Sequence, residues 1–596
     1  MPLLRLDEDP GQLVLHSQGA VCSSTREVVE SEPFERVVGL YLAHLTEHDG
    51  PLLEALGIDS SDAAARASFV DLLRLLAHNP LERIVRTSPE RAPLLGRRPA
   101  LHRFVEGLYD FWRGFDRFLV DHPGAGRVGP GDGVDRVFNA SLETLAELIR
   151  DLYRDVAENV TGTHPHVYRQ VHAGAELGVV VAPRRWPVPD TYRAQLEGIP
   201  FVRRVLMYPP LILNPPATTR AGSFTEVSDD PLAGLRLEPE RWVCYPAVVG
   251  RLVVFVYIEQ RFFGLGLSLS NLFELASEAQ VAAGPDALLV YGAPPEGLVR
   301  FGPRPTVFFD DTAHGLLVGA LPLDDAFAYF GYLKKMALTL HNVAAMKRGL
   351  LPFHGAFSRL VLPGGAEAGV LLIGDTATGK SETLEALRLA AGEQVAEVHV
   401  VADDMGSLEV TGRGGRPRVV GYGTEIGAFV RLDDLQQGYA IGQIDRAIIM
   451  SPQKVNARVV LPVTSIEEVQ HGYGVDVLLY ANNFEPVDAE HPIVERFADA
   501  EAALAVFRQG RAMSKGTTAS SGLVANYFAN IFGPAQRPAQ HDALAERTFA
   551  ALFGAGAFVG QLRTRLALPG YGGEGPRAAA AALLELIALT TDRPDD

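Results

Sequence analysis

The chain has 596 residues, 47% hydrophobic and 21% charged, which is length for two to four domains and the composition of a globular protein, not a disordered one. A formal net charge of −18 argues against a nucleic-acid or anionic-membrane partner for the chain as a whole. Two cysteines far apart in sequence, Cys22 and Cys244, supply neither a disulfide framework nor a cysteine-rich zinc site, which suits a reducing cytoplasm.

The first residues, Met1-Pro-Leu-Leu-Arg-Leu, lack the basic and then apolar pattern of a signal peptide, and no apolar run is long enough to cross a bilayer. The expectation is a cytoplasmic protein with no membrane partner. Helical periodicity runs from about Glu32 to Leu119, as in Leu101-His-Arg-Phe-Val-Glu-Gly-Leu-Tyr-Asp-Phe-Trp112, and predicts a helical N-terminal region over 1–125. The glycine- and proline-rich stretch 122–133 reads as an exposed linker or loop. A long helix near Leu142 to Val160 follows. Short strands then come at Leu177–Val181, Val202–Met207 and Leu252–Ile258, separated by turn residues, and predict an α/β lobe over 136–300. His164, His166 and His172 read as loop histidines, because no partner has helical ligand spacing. Strands and helices alternate through a further region, 301–596, which closes on a packing helix at Ala578–Ile587. The class is α/β.

The strongest chemical signal lies in that last region. Gly374-Asp-Thr-Ala-Thr-Gly379-Lys380-Ser381 fits G-x-x-x-x-G-K-[ST]. The strand-like Gly369–Ile373 precedes it and the helix-like Glu382–Ala390 follows. A glycine-rich turn between strand and helix turns backbone N–H groups toward phosphate oxygens, and the helix N-terminus adds positive potential. Lys380 reaches the outer phosphates in such a loop, and the Ser381 hydroxyl binds a divalent metal.

Downstream, the apolar Val400-Val-Ala ends in Asp403 and Asp404. A nucleoside triphosphate needs a hard cation with oxygen ligands, and a carboxylate at a neighbouring strand tip is where that ion is held. Successive strand residues face opposite ways, so the two aspartates have different parts.

Upstream, Tyr329-Phe-Gly-Tyr-Leu-Lys334-Lys335 leads through a helical stretch to Leu350-Leu-Pro-Phe-His354-Gly355. This segment resembles the phosphoenolpyruvate carboxykinase family, in which a tyrosine, a lysine pair, an amphipathic helix and a leucine-proline-x-histidine turn occur in that order. His354-Gly355, Gly379-Lys-Ser-Glu-Thr383 and Val401-Ala-Asp-Asp404 are also similar to HPr kinase. The likeness covers about residues 300 to 560. It implies a two-lobed carboxykinase-like fold with a phosphate loop. It further implies that Lys335, His354 and Asp404 bind manganese, and that Ser381, with Asp404 nearby, serves nucleotide-bound magnesium. A lysine can ligate a metal only when neutral, so Lys335 needs a depressed pKa. Asn456-Ala-Arg458-Val-Val-Leu-Pro462 resembles the strand whose arginine contacts the transferred phosphoryl group. Phe507–Thr517 and Tyr527–Pro534 resemble the segments near the base. On this likeness the nucleotide-binding residues are Gly374, Thr376, Thr378, Gly379, Lys380, Ser381, Thr383, Lys515 and Thr517, and the catalytic residues are Tyr329, Lys335, Asp403 and Arg458.

The chain departs from the family in four places. Gly516-Thr-Thr-Ala519 lacks an arginine near the base, Met405 stands where glutamate is usual, and Asp375 puts a negative charge in the phosphate loop, to be offset by an arginine or lysine elsewhere. The N-terminal arginine motif that holds the substrate carboxylate is also missing. Arg86-Thr-Ser-Pro-Glu-Arg91 resembles it faintly, with a helix-end turn as the alternative. Tyr422–Arg431 reads as a structural turn, the alternative being that Glu425 orients the metal shell. The expected function is phosphoryl transfer between ATP or GTP and a small carboxylate, with oxaloacetate and phosphoenolpyruvate the most economical pair. The alternatives are an HPr kinase-like kinase acting on another small molecule or a protein hydroxyl, with Asp403 as base, and a nucleotide-binding regulator without turnover.

Overall fold

Eight consecutive buried residues, Leu252–Glu259, form a strand whose continuous apolar run reflects cover on both faces. It pairs antiparallel with Trp242–Val249 and parallel with Ala287–Ala293, and the sheet continues through Leu316–Pro322 to Val307–Asp311 and Thr225–Val227. The computed structural model that contains this sheet describes the chain apart from residues 1–2, 20, 124–133, 168–170, 218, 222–223, 304, 376, 390–394, 413–416, 433–441, 451–456, 516–520 and 592–596. The protein is mixed α/β. It divides into two units, Met1–Pro183 with Pro200–Asn214, and Arg184–Ile199 with Pro215–Asp596.

Strand pairings cross the positions near residues 125–136 and 300 where divisions are expected. Asp116–Asp121 is a strand, paired parallel with both Gln12–Ser17 and Leu177–Ala182, so a sheet ties the helical stretch to the chain beyond the 122–133 segment. Likewise the Ala287–Ala293 and Leu316–Pro322 strands pair across residue 300. The N-terminal unit is therefore not purely helical. Its sheet also holds Leu3–Asp9 and Phe201–Met207. Its helices include Glu32–His48, Ala63–Leu76, Arg98–Arg113 and Val134–Thr161, and with the sheet they share a core containing Leu15, Phe69, Leu73, Phe104 and Leu142. Sequence sets the boundary locally: Ser31 caps the first of these helices by accepting from the Phe34 amide, with Pro33 in the first turn.

The second unit also holds the sheet that positions the site. Its strands run in the order Tyr473–Gly474, Arg418–Gly423, Met405–Thr411, Leu351–Val361, Glu367–Ile373, Val477–Asn482, Phe558–Arg563 and Val494–Arg496, with Glu397–Ala402 attached to Leu351–Val361. The long Leu351–Val361 strand changes partner halfway along one edge. There residues 351–354 pair with Met405–Thr411 and residues 357–361 with Glu397–Ala402, while residues 355–361 pair with Glu367–Ile373 on the other edge. His354 sits at that handover. The helix Phe330–Lys347 is buried on nearly every side and packs on Leu316–Pro322 and Leu351–Val361, which draws Lys334 and Lys335 inside. The C-terminal helix spans Glu574–Thr591, longer than expected, and buries Ala579, Leu583 and Ile587. Among the described residues no helix is long and apolar enough to cross a membrane. Cys22 and Cys244 are each buried and free.

Candidate active site

The phosphate loop leaves the Glu367–Ile373 strand at Gly374, whose amide donates to the His354 carbonyl at 3.1 Å. It enters the helix Lys380–Leu389 through Gly379, whose φ is +93° and whose added Cβ would stand 2.8 Å from Thr564, so glycine is required there. The loop is braced from outside. Asn483 Nδ2 donates to the Ala377 carbonyl at 2.9 Å, and Thr564 Oγ1 donates to the Thr378 carbonyl at 2.7 Å. Lys380 Nζ donates to the loop carbonyls of Gly374 and Asp375 at 2.6 and 2.8 Å. Burial pushes its pKa down. The Thr383 hydroxyl is buried without a hydrogen-bond partner among the described residues. Thr376 lies outside the described residues, as do Asn456 and Thr517, and Lys515 is described as strand backbone only.

Asp375, for which an arginine or lysine counterpart was expected, receives the Asn526 amide at 2.5 Å, and Arg220 lies within electrostatic reach. An amide donor orients the carboxylate without cancelling its charge.

Lys335, His354 and Asp404 come together. Lys335 Nζ is 2.6 Å from Asp404 Oδ2, and His354 Nε2 is 2.9 Å from Asp404 Oδ1. Lys334 joins them, 2.7 Å from the same Oδ2 and 3.2 Å from Glu425 Oε1. Burial and the Lys334 charge push the Lys335 pKa down against the pull of Asp404. Burial also lowers His354. For Lys334, the carboxylates of Asp404 and Glu425 outweigh burial and raise the pKa. Burial raises Asp404, but Lys334, Lys335 and His354 overcome it and leave the group well below the usual carboxylate range. Burial lifts Glu425 to about 7. Glu425 is thus a buried partner of the lysine pair and not merely the structural turn that its local sequence suggested; Thr424 sets it there by donating to the Met405 carbonyl at 2.9 Å.

The chemistry of this set fits a divalent cation. His354 Nδ1 is 2.6 Å from the Ala529 carbonyl, an acceptor only, so Nδ1 carries the ring proton. In the neutral ring the Nε2 lone pair then faces a carboxylate oxygen, an opposition that a cation relieves. Ala529 and Phe528 both take φ of 52°, so left-handed backbone at non-glycine residues shapes the segment that aims the histidine. Among the described residues no group of three or more His, Cys, Asp and Glu side chains is gathered for a metal; the set at Asp404 includes an amine. Asp403 faces the phosphate loop, with Ser381 Oγ 3.5 Å from its Oδ1, and burial followed by the Asp404 charge raises its pKa.

A cluster of cationic side chains adjoins these groups. Burial raises the Tyr329 pKa, and the charges of Arg458, Arg220 and Lys334 oppose that shift. Arg458 heads the strand Arg458–Pro462, lies 5.8 Å over the Phe429 ring, and keeps its Nε buried without a hydrogen-bond partner among the described residues. The Tyr329 ring lies 5.9 Å from that same Phe429 ring. The Phe532 ring carries Lys335 Nζ at 4.8 Å and the Arg220 guanidinium at 4.9 Å. Sequence reasoning missed Arg220 and Phe532. The only local signal was that Phe532 falls within the Tyr527–Pro534 run. Arg86–Arg91, by contrast, occupies the end of the Leu81–Thr87 helix and the following turn in the N-terminal unit. The loop histidines do not assemble into a centre: His164 pairs with Glu158, and the His172 ring packs on Tyr208 at 4.6 Å.

Comparison of the chain with protein-family models gives no match, and no curated protein matches it either.

Proposed function

We propose that the second unit is a metal-dependent nucleotide phosphotransferase of the phosphoenolpyruvate carboxykinase type, with a small carboxylate as acceptor. The observation that carries this reading is the convergence of Lys335 and His354 on Asp404, one hydrogen bond from the phosphate loop through Gly374. A divalent cation, manganese on the resemblance, held by Lys335, His354 and Asp404 would supply positive charge to a transferring phosphoryl group. Ser381 and Asp403 face each other where nucleotide-bound magnesium is expected. Loop amides at the helix N-terminus bind phosphate oxygens, and Lys380 exchanges its loop carbonyls for the outer phosphates of ATP or GTP. Arg458 spreads charge over the equatorial oxygens as the phosphoryl group moves. Arg220, Lys334 and the Tyr329 hydroxyl hold an anionic acceptor in place, so catalysis is positioning and charge neutralisation. The carboxykinase-like fold is part of the same proposal, supported by the strand, phosphate loop and helix beside an acidic strand tip.

A second reading, an HPr kinase-like transfer to a hydroxyl, draws on the raised Asp403 pKa, because a more basic carboxylate takes up a hydroxyl proton more readily. The deciding experiment supplies ATP or GTP with manganese and magnesium and follows oxaloacetate loss and phosphoenolpyruvate formation. Product that disappears in Lys335→Ala while nucleotide binding persists supports the carboxykinase reading. Transfer only to hydroxyl acceptors favours the kinase, and binding without turnover on any acceptor contradicts both.

A further inference from the structure

The N-terminal unit contains a cavity of about 120 Å³ among its helices. Phe34, Val37, Leu73, Tyr109, Trp112 and Val156 are among the residues that line it. The pocket is partly open, not sealed, and its wall is almost wholly apolar. Three polar side chains at its wall are already engaged. Ser31 Oγ donates to the Val28 carbonyl at 2.7 Å and accepts from the Phe34 amide at 3.3 Å. Trp112 Nε1 donates to the Ala173 carbonyl at 2.6 Å, and the Tyr153 hydroxyl donates to Glu106 at 2.7 Å. A water needs two or more polar partners, and this almost wholly apolar wall offers few, so the space favours hydrocarbon. Four aromatic rings border it, and one wall is the Tyr109–Tyr153 pair, stacked with centroids 4.0 Å apart. Rings of this kind receive another ring edge-on or offset.

We infer that this cavity is a binding site for a small uncharged aromatic group, close in size to a single benzene ring. A dry hydrocarbon-lined cavity of about 150 Å³ accepts benzene, which sets the scale. Nothing in this inference depends on the phosphotransferase reading, because every lining residue named belongs to the N-terminal unit.

The test uses the full chain and fluorobenzene, followed by fluorine NMR. Saturable binding with Kd below about 1 mM is expected, at least tenfold weaker in Val37→Phe, whose larger side chain fills the space. If Val37→Phe does not melt cooperatively, Val156→Phe takes its place, and xenon-pressurised crystals of the unaltered chain give an independent reading. Xenon density between Leu73 and Val156 supports the site. No saturation up to about 10 mM, unchanged affinity in a folded filled variant, or a cavity without xenon overturns it.

Discussion

The His354 carbonyl accepts the Gly374 amide at 3.1 Å, so the strand that carries the imidazole also anchors the first residue of the phosphate loop. The proposed cation site at Asp404 and the proposed phosphate site at Lys380 thereby flank the Leu351–Val361 strand, and single substitutions should separate them.

Gly379→Ala should abolish the second while sparing the first. Its left-handed φ costs an alanine about 1–2 kcal/mol, and the new methyl meets Thr564 at 2.8 Å. Nucleotide affinity, measured by calorimetry, should fall at least about tenfold with manganese binding retained. Unchanged affinity would show that the loop does not hold phosphate in this conformation.

Phe532→Leu removes the ring beneath Lys335 and Arg220 at 4.8 and 4.9 Å while keeping an apolar side chain. Cation–π contacts of this kind are worth about 0.5–2 kcal/mol each. Phosphoryl transfer should drop roughly tenfold or more, with KM for the nucleotide little altered. A change confined to nucleotide KM would place Phe532 in the wrong role.

Lys334→Met leaves Glu425 buried without its ion partner, and breaking such a pair costs about 3–5 kcal/mol. The double variant Lys334→Met, Glu425→Gln should recover most of that loss in urea unfolding. A double loss equal to the sum of the single losses would mean the two residues do not act as a pair.

Asp116, in the N-terminal unit, offers a pH test that involves none of the proposed site residues. Burial and then the Glu176 charge raise its pKa to about 7. The folded value lies above the unfolded one of about 3.9, so ionisation costs stability, and that cost appears as pH rises from about 4 and is complete above about 7. Asp116→Asn should therefore raise Tm at pH 8 and leave it nearly unchanged at pH 4. An equal shift at both values would contradict the assignment.

How much of this was legible in the sequence depends on how local the signal is. The strand, loop and helix around Gly374 to Ser381 were readable because the motif, the apolar run and the helix period lie within about two dozen residues. Lys335, His354 and Asp404 were named together only through a resemblance, since spacing along the chain does not reveal a handover between strand partners at His354. Strands Gln12–Ser17 and Asp116–Asp121 escaped notice because six-residue runs beside long helices carry no period of their own. Arg220 lies in a stretch with no helix or strand pattern, and Phe532 carries both Arg220 and Lys335 only after folding. Asn526 answers Asp375 from 151 residues away, and Arg220, also within electrostatic reach of Asp375, is just as remote in sequence. Glu425 looked like a turn because its partner, Lys334, is contributed by a distant helix.

The most direct test of the account is electron paramagnetic resonance of manganese bound to the full chain. The unaltered protein should bind one ion tightly, with nitrogen coupling that weakens in His354→Ala and binding that is lost in Asp404→Asn, while ATP still binds both variants through the phosphate loop. Manganese affinity and nitrogen coupling unchanged in both variants would contradict a cation site at Asp404 and leave only a nucleotide binder.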